Sequence, residues 1–146
     1  VDIEKQIKTL SLVAGTLVYS PKNNSDDHYD QLLNFAVELG VEVKLDGMLP
    51  MEPLIYELVI KAVKQCVTNC VRHAHGSTVF VRIVGLSGGY SVTITNDGNK
   101  PKEKITEGGG LSNLRQSIEN AGGEMAISHY PQFVLRLILM REEMEL

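Results

Sequence analysis

Hydrophobic residues recur along the chain with two different periods, and the period changes near the middle. Where apolar side chains are spaced three or four apart, the pattern predicts amphipathic helices. Such helices are predicted over residues 3–18, 25–39, 53–74 and 111–121. Ser25 or Asp26 can cap the second helix, and Gly40 can stop it.

The remaining apolar segments follow a period of two, which is the period of β-strands. They predict strands over residues 41–45, 79–83, 90–95, 124–128 and 133–140. Gly88 and Gly89 predict a hairpin turn between the second and third. Because there are too few helices for alternating crossovers, the order favours an α+β, two-layer sandwich with helices on one sheet face. The polar column Ser91, Thr93 and Thr95 predicts that the other face is solvated.

Composition and charge narrow the class of protein. The chain has 146 residues, 43% hydrophobic and 22% charged, which predicts one globular domain. The net charge of -4 gives no basic field for nucleic acid. We find no apolar run long enough to span a bilayer and no leader peptide, and we expect no membrane contact by this domain. The start at Val1 suggests a piece of a longer protein.

Both cysteines, Cys66 and Cys70, lie four apart on the helix predicted over residues 53–74. At that spacing their side chains point the same way, so we expect core thiols in a reducing, cytoplasmic compartment. A zinc site with His73 and His75 is the alternative. Structural zinc sites more often draw their ligands from separate segments, so core packing is favoured.

The same helix carries polar residues at the edge of its apolar arc. Gln65, Asn69 and His73 occupy this seam, where a side chain can face both the core and a ligand pocket. The oxygen of Asn69 suits a magnesium ion, and Arg72 and His73 suit phosphate charge. A helix edge with incidental polar residues is the alternative.

Two later segments carry further candidate chemistry. Asp97, followed by Gly98, comes after a strand, and its carboxylate can accept hydrogen bonds from the exocyclic amine of adenine. Alone, this segment is also a common turn. The glycines 108–110 precede a helix, where backbone N–H groups and the helix dipole can receive phosphate. They lack the Gly-Lys-Ser/Thr ending of a P-loop and a βαβ setting, and a flexible hinge is the alternative.

Together, these segments resemble the ATP-binding domain of sensor histidine kinases, in the superfamily of gyrase, the chaperone of ninety kilodaltons and a mismatch-repair ATPase. The resemblance runs from about residue 39 to 140 and favours the short-lid kinases. The residues on the family's motifs are Gln65 (where the family has a Glu), Asn69, Arg72, His73, Asp97, Gly98, Gly108, Gly110 and Leu111.

This resemblance implies a mixed, mostly antiparallel sheet of about five strands with about three helices on one face. It also implies an enzyme that binds ATP and Mg²⁺ under a lid over residues 99–107. The γ-phosphate would go to a histidine on a separate, dimeric helical domain, and a response regulator would be the next partner of the two-component system. The parent would be a homodimer, and its membrane anchoring stays open.

Two positions depart from the family pattern. Gln65 replaces a glutamate, and because an amide cannot accept a proton at neutral pH, base catalysis there is lost while binding need not be. Pro131 and Gln132 stand where related chains carry Gly-Thr, and the amide of Gln132 is our candidate for holding Asp97.

Residues 1–24 are interpreted as an N-terminal helix and linker, and residues 25–146 as the ATP-binding catalytic domain. The first helix is either the tail of a missing dimerisation domain or a helix that covers the sheet. His28 lies among acidic residues, and we expect a surface residue there rather than the phosphoacceptor. The leading hypothesis is a histidine kinase domain. The alternatives are a catalytically impaired nucleotide-binding or protein-interaction module on the same fold, and a serine-directed kinase of the superfamily.

Overall fold

The computed structural model describes residues 27–101, 109–129 and 131–141. The helix predicted over residues 3–18, most of the predicted lid and Gly108 lie outside these residues. The chain divides into two compact units, Val1–Gln31 and Leu32–Leu146. In the first unit, the carboxylate of Asp27 accepts hydrogen bonds from the backbone N–H groups of Tyr29 and Asp30, at 3.1 and 3.3 Å. Asp27 is therefore the helix cap, in place of the predicted Ser25 or Asp26.

Five strands form one mixed sheet in the described part of the chain. They are β1 (Glu42–Asp46), β2 (Thr78–Leu86), β3 (Gly89–Asn96), β4 (Glu124–Ser128) and β5 (Val134–Met140). Their order across the sheet is β1-β2-β3-β5-β4. β1 pairs with β2 in parallel, and the other three pairings are antiparallel. The predicted mixed, mostly antiparallel sheet is confirmed.

Three α-helices accompany this sheet within the described ranges: α1 (His28–Glu38), α2 (Pro53–Asn69) and α3 (Gly110–Asn120). Gly40 follows α1 with φ of +79°, which suits a glycine stop. Pro53 occupies the first turn of α2, where its missing N–H group costs nothing. No helix among these residues is both long enough and apolar enough to cross a bilayer.

The last turn of the long helix differs from the prediction. The pattern predicted one helix to residue 73 or 74, but α2 ends at Asn69 and continues as a π-helical turn, Cys70–Ala74. His75 then adopts a left-handed conformation, with φ of 52° and ψ of 37°. Both His75 and Gly76 donate their backbone N–H groups to the carbonyl oxygen of Cys70, which closes the helix end.

The core lies between the helices and the inner face of the sheet. Val59, Val63 and Val67 of α2 are at most 2% exposed, as are the inward side chains of the central strands, Val79, Val81, Val92, Ile94, Leu135, Leu137 and Leu139. α3 adds the buried Leu111, Leu114 and Ile118. Residues that alternate with these on β2, such as Phe80 and Val84, are exposed, so the helices cover one face as predicted.

A polar cluster ties the start of α2 to the sheet. The carboxylate of Glu52 accepts a hydrogen bond from the hydroxyl of Tyr90 at 2.6 Å and an ion-paired hydrogen bond from Arg141 at 3.0 Å. The Tyr90 hydrogen bond, helped by Arg141, lowers the pKa of Glu52, while the same hydrogen bond raises the pKa of Tyr90. Glu52 precedes α2, Tyr90 is the second residue of β3, and Arg141 follows β5. The cluster therefore joins one helix to two strands.

Truncating a core leucine tests the packing of α3 against the sheet. Leu114 is 1% exposed, whereas Leu54, in the first turn of α2, is 51% exposed. We expect Leu114→Ala to lower the free energy of unfolding by about 2–5 kcal/mol, because it leaves a cavity. Leu54→Ala is the matched control and should change it by about 0.5 kcal/mol or less. Urea unfolding measures both, and equal losses would contradict the described core.

The Glu52 cluster predicts a pH dependence of stability. Because the folded-state pKa of Glu52 is lowered, its contribution is present above the ordinary pKa of 4.5 and is lost as the pH falls toward the folded-state value. The Glu52→Gln variant should therefore be less stable than the unsubstituted chain near neutral pH, and it should lose less stability on acidification. Denaturation midpoints between about pH 3 and pH 6 measure this slope. Glu124→Gln, at an exposed position of β4, should keep the parental slope.

Candidate functional site

The end of α2 presents two carboxamides beside the core. Gln65 and Asn69 are half-buried, as the seam position predicts, and the Nε2 of Gln65 donates a hydrogen bond to the Oδ1 of Asn69 at 3.2 Å. Arg72 and His73 follow in the π-helical turn and are exposed. Since that turn changes the angular spacing after Asn69, His73 leaves the seam that regular helix geometry predicts. The chain thus carries a half-buried carboxamide pair followed by two exposed basic side chains.

Asp97, directly after β3, is held by the segment that leads from the helix into β2. Its Oδ1 accepts hydrogen bonds from the backbone N–H groups of Ser77 and Thr78 at 2.8 and 2.9 Å. Its Oδ2 accepts one from the hydroxyl of Ser77 at 3.2 Å. The N–H groups of Thr78 and Ser77 lower the pKa of Asp97, since they stabilise the charged form. The result is an oriented, exposed and ionised carboxylate that only accepts hydrogen bonds.

Glycines allow the two segments around Asp97 to approach closely. A Cβ on Gly98, whose φ is +99°, would lie 2.5 Å from the carbonyl oxygen of Ala74. A Cβ on Gly76 would lie 2.5 Å from both the carbonyl oxygen and the Oδ1 of Asp97. The backbone N–H of Asn99 also donates to the carbonyl of Ala74 at 2.7 Å. The π-helical turn and the turn after β3 therefore pack directly against each other through backbone atoms.

The two cysteines are free thiols, each 1% exposed, which confirms them as core residues. Burial raises the pKa of the Cys70 thiol, and the nearby carboxylate of Asp97 raises it further. Asp97 is thus close to the residue that follows Asn69 along the chain. In the part of the chain that the structure describes, no three His, Cys, Asp or Glu side chains are grouped to hold a metal ion.

The start of α3 adjoins the carboxamide pair. Gly110 lies directly against the side chain of Gln65, whose Oε1, Cδ and Nε2 occupy the place that a Cβ would take. Lys61 donates a hydrogen bond to the hydroxyl of Ser117 at 3.1 Å, a second link between α2 and α3. Leu111 is 4% exposed and packs in the core, where it anchors the start of α3. Gln65, Asn69 and Gly110 thus lie together.

Sequence reasoning missed the residues that hold Asp97. Gln132, the predicted candidate for that role, is exposed in the turn before β5. Within the described residues, the hydrogen bonds to the carboxylate of Asp97 come from Ser77 and Thr78, and none comes from Gln132. The sequence signal for these residues is a polar Gly-Ser-Thr segment that leads into β2. This segment alone does not indicate that it binds Asp97.

Comparisons with known proteins concern the fold and the histidine kinase resemblance. No model of a known protein family matches the chain. A sensor histidine kinase of Bacillus subtilis (strain 168), YxjM, is 32% identical over 93 residues, which cover 61% of this chain. The chain spans only 23% of the length of that relative.

Solved structures of histidine kinases share the fold. The histidine kinase domain of the blue-light activated kinase EL346 from Erythrobacter litoralis matches with a TM-score of 0.59 and 19% identity, over 77% of this chain and 60% of that one. The Acinetobacter baumannii kinase AdeS matches with a TM-score of 0.58 and 14% identity, over 77% of this chain and 62% of that one. The resemblance predicted from the motifs is confirmed: the chain is similar in sequence to a sensor histidine kinase and has the fold of histidine kinase domains.

A pair of glycine substitutions tests the close approach beside Asp97. Gly98 and Gly40 both have positive φ, but a Cβ on Gly40 would meet nothing within 4 Å. Gly40→Ala should carry the backbone strain alone, about 1–2 kcal/mol. Gly98→Ala should carry that strain and also push the Asp97 turn away from Ala74, so its unfolding midpoint should fall further. Equal midpoints in thermal denaturation would contradict the described contact.

Proposed function

We propose that this chain is the ATP-binding part of a sensor histidine kinase, which binds Mg-ATP and donates the γ-phosphate to a histidine on a separate helical domain. The observation that carries the proposal is the carboxylate of Asp97, fixed by two backbone N–H groups at the end of the central strand β3. The similarity to a sensor histidine kinase supports the class of reaction.

Adenine recognition follows from the hydrogen bonds of Asp97. Its Oδ1 accepts two backbone hydrogen bonds and its Oδ2 accepts one from the hydroxyl of Ser77, so Oδ2 of this exposed residue can accept a further hydrogen bond. An ionised carboxylate accepts from the exocyclic amine of adenine and repels the carbonyl oxygen that guanine carries at the same place. Gly98, which has no side chain, lets the turn after Asp97 pack against the backbone of Ala74 and Gly76. These residues fit an adenine ring.

The residues at the end of α2 fit the charged part of the nucleotide. The oxygen of Asn69 is a hard ligand of the kind that Mg²⁺ prefers, and Mg²⁺ can keep water in its other positions. Arg72 and His73, both exposed, can meet phosphate oxygens. The N–H groups at the start of α3 add the positive end of a helix dipole. When bound, Mg²⁺ would neutralise charge that develops on the transferred phosphoryl group.

Transfer requires partners beyond this chain. Since the chain spans 23% of its relative, the phosphoacceptor histidine, the dimerisation domain and the response regulator are part of the proposal. The contribution of the described residues is to hold the nucleotide, because phosphoryl transfer depends mostly on positioning and charge neutralisation.

A second candidate function is a nucleotide-binding module without turnover. It is favoured by Gln65, whose amide cannot act as a base where a glutamate is expected. Incubation with labelled ATP and a histidine-bearing helical domain separates the two candidates. Transfer of the γ-phosphate would support the kinase function, whereas ATP binding without transfer would support the nucleotide-binding module.

An Asp97→Asn substitution tests the adenine assignment. The backbone N–H groups of Ser77 and Thr78 would keep the amide oxygen of the new side chain, so its NH₂ group would face the base. ATP affinity should then fall by about 10- to 100-fold in calorimetry, since a charged hydrogen bond becomes a repulsion, and GTP should lose less. Asp46→Asn, at an exposed carboxylate paired with Arg82, is the charge-matched control and should bind ATP normally. Full ATP affinity in Asp97→Asn would contradict the assignment of Asp97 to adenine recognition.

A further inference from the structure

Gln65 contacts two parts of the proposed site at once. One end of its carboxamide, Nε2, donates to the Oδ1 of Asn69 at 3.2 Å. The atom of the side chain nearest to the missing Cβ of Gly110 is the other end, Oε1. The side chain therefore bridges α2 and the first residue of α3. Neither contact requires the side chain to accept a proton, so both are possible for an amide.

The orientation of this carboxamide has a physical cause. The first N–H groups of α3 lack partners within their own helix and carry partial positive charge. That charge favours the oxygen end of Gln65 toward Gly110, so the NH₂ end must face Asn69. An NH₂ donor is met best by an oxygen, so Asn69 presents Oδ1 on this side rather than its own NH₂ group.

A glutamate at position 65 would have the opposite effect. A carboxylate donates no hydrogen bond, so Asn69 would turn its NH₂ group toward residue 65 and its oxygen away. The residue at position 65 thus decides which end of the Asn69 carboxamide faces it. Because an amide oxygen has two lone pairs, Oδ1 can accept from Gln65 and still bind a cation.

We infer that Gln65 is a positioning residue that sets how Asn69 presents its oxygen, and thereby how strongly Mg²⁺ increases nucleotide affinity, with Gly110 as the surface that holds Gln65 in place. This inference rests on the proposed function for its Mg²⁺ part. The placement of Asn69 is independent of any nucleotide.

The placement is tested first, in the free protein, by the side-chain amide signals of Asn69 in ¹⁵N-edited NMR. Gly110→Ala should shift them, because a Cβ there overlaps the carboxamide of Gln65. Gln65→Glu should shift one NH₂ proton downfield as it donates to the carboxylate, and that shift should titrate with the new carboxyl group. Gly85→Ala is the control, since a Cβ there meets nothing within 4 Å. Unmoved signals in both site variants would overturn the inference.

The Mg²⁺ part is tested by ATP affinity with and without Mg²⁺ in calorimetry. Gln65→Ala and Gly110→Ala should each reduce the enhancement by Mg²⁺ by about three- to tenfold, the loss of one hydrogen bond. In the Gln65→Ala background, Gly110→Ala should add nothing, because the side chain that it displaces is gone. A parental enhancement in Gln65→Ala, or full additivity, would overturn the inference while the proposed function stands.

Failure of the proposed function can be distinguished from failure of the inference about Gln65. If the parent chain binds no ATP at any Mg²⁺ concentration, the proposed function fails and the Mg²⁺ part of the inference fails with it. Should Gly110→Ala lower the unfolding midpoint too far for binding measurements, Gln65→Ala, at a half-buried position, gives the same Mg²⁺ readout and decides the outcome.

Discussion

The burial of one face of α2 is the constraint on which the rest of the structure depends. Val59, Val63 and Val67 are at most 2% exposed, and burial of each such side chain contributes about 1.5–3 kcal/mol. The helix cannot rotate about its axis without exposing them. Because successive residues are about 100° apart, this packing fixes the directions of Gln65 and Asn69. The site is thus oriented by residues that have no polar chemistry of their own.

Asp97 connects this oriented helix to the sheet. Its carboxylate accepts hydrogen bonds from the backbone N–H groups of Ser77 and Thr78, where the chain leaves the helix and enters β2. The same atoms that stabilise the connection also set the direction of the acceptor proposed to read adenine. Stability and recognition therefore share one side chain, and the pKa of Asp97, lowered by those N–H groups, keeps the acceptor charged.

Much of the fold was predictable because periodicity reports which side is buried. The spacing of apolar residues predicted α2, the strands and the seam that holds Gln65 and Asn69. It could not predict the π-helical turn, since i→i+5 bonding leaves no mark on residue types. It also could not identify the partners of Asp97, because Ser77 and Thr78 lie about 20 residues earlier in the chain. The contact between Gln65 and Gly110 depends on tertiary packing for the same reason.

The Glu52 cluster lies at the start of α2 and of β3, and the Asp97 turn lies beyond their ends. The length of the helix must therefore match the length of the strand. α2 has 17 residues, about 26 Å at 1.5 Å per residue, and β3 has 8 residues, about 26 Å at 3.3 Å per residue. The start of the helix is linked to the strand by Glu52 and Tyr90, and the π-helical turn that continues the helix is linked to the turn after the strand by Ala74 and Asn99. One added residue in β3 would displace Asp97 by about 3.3 Å, whereas one added in α2 would move Asn69 by only about 1.5 Å but turn it by about 100°. An insertion in either element would therefore separate the contacts at one of its ends.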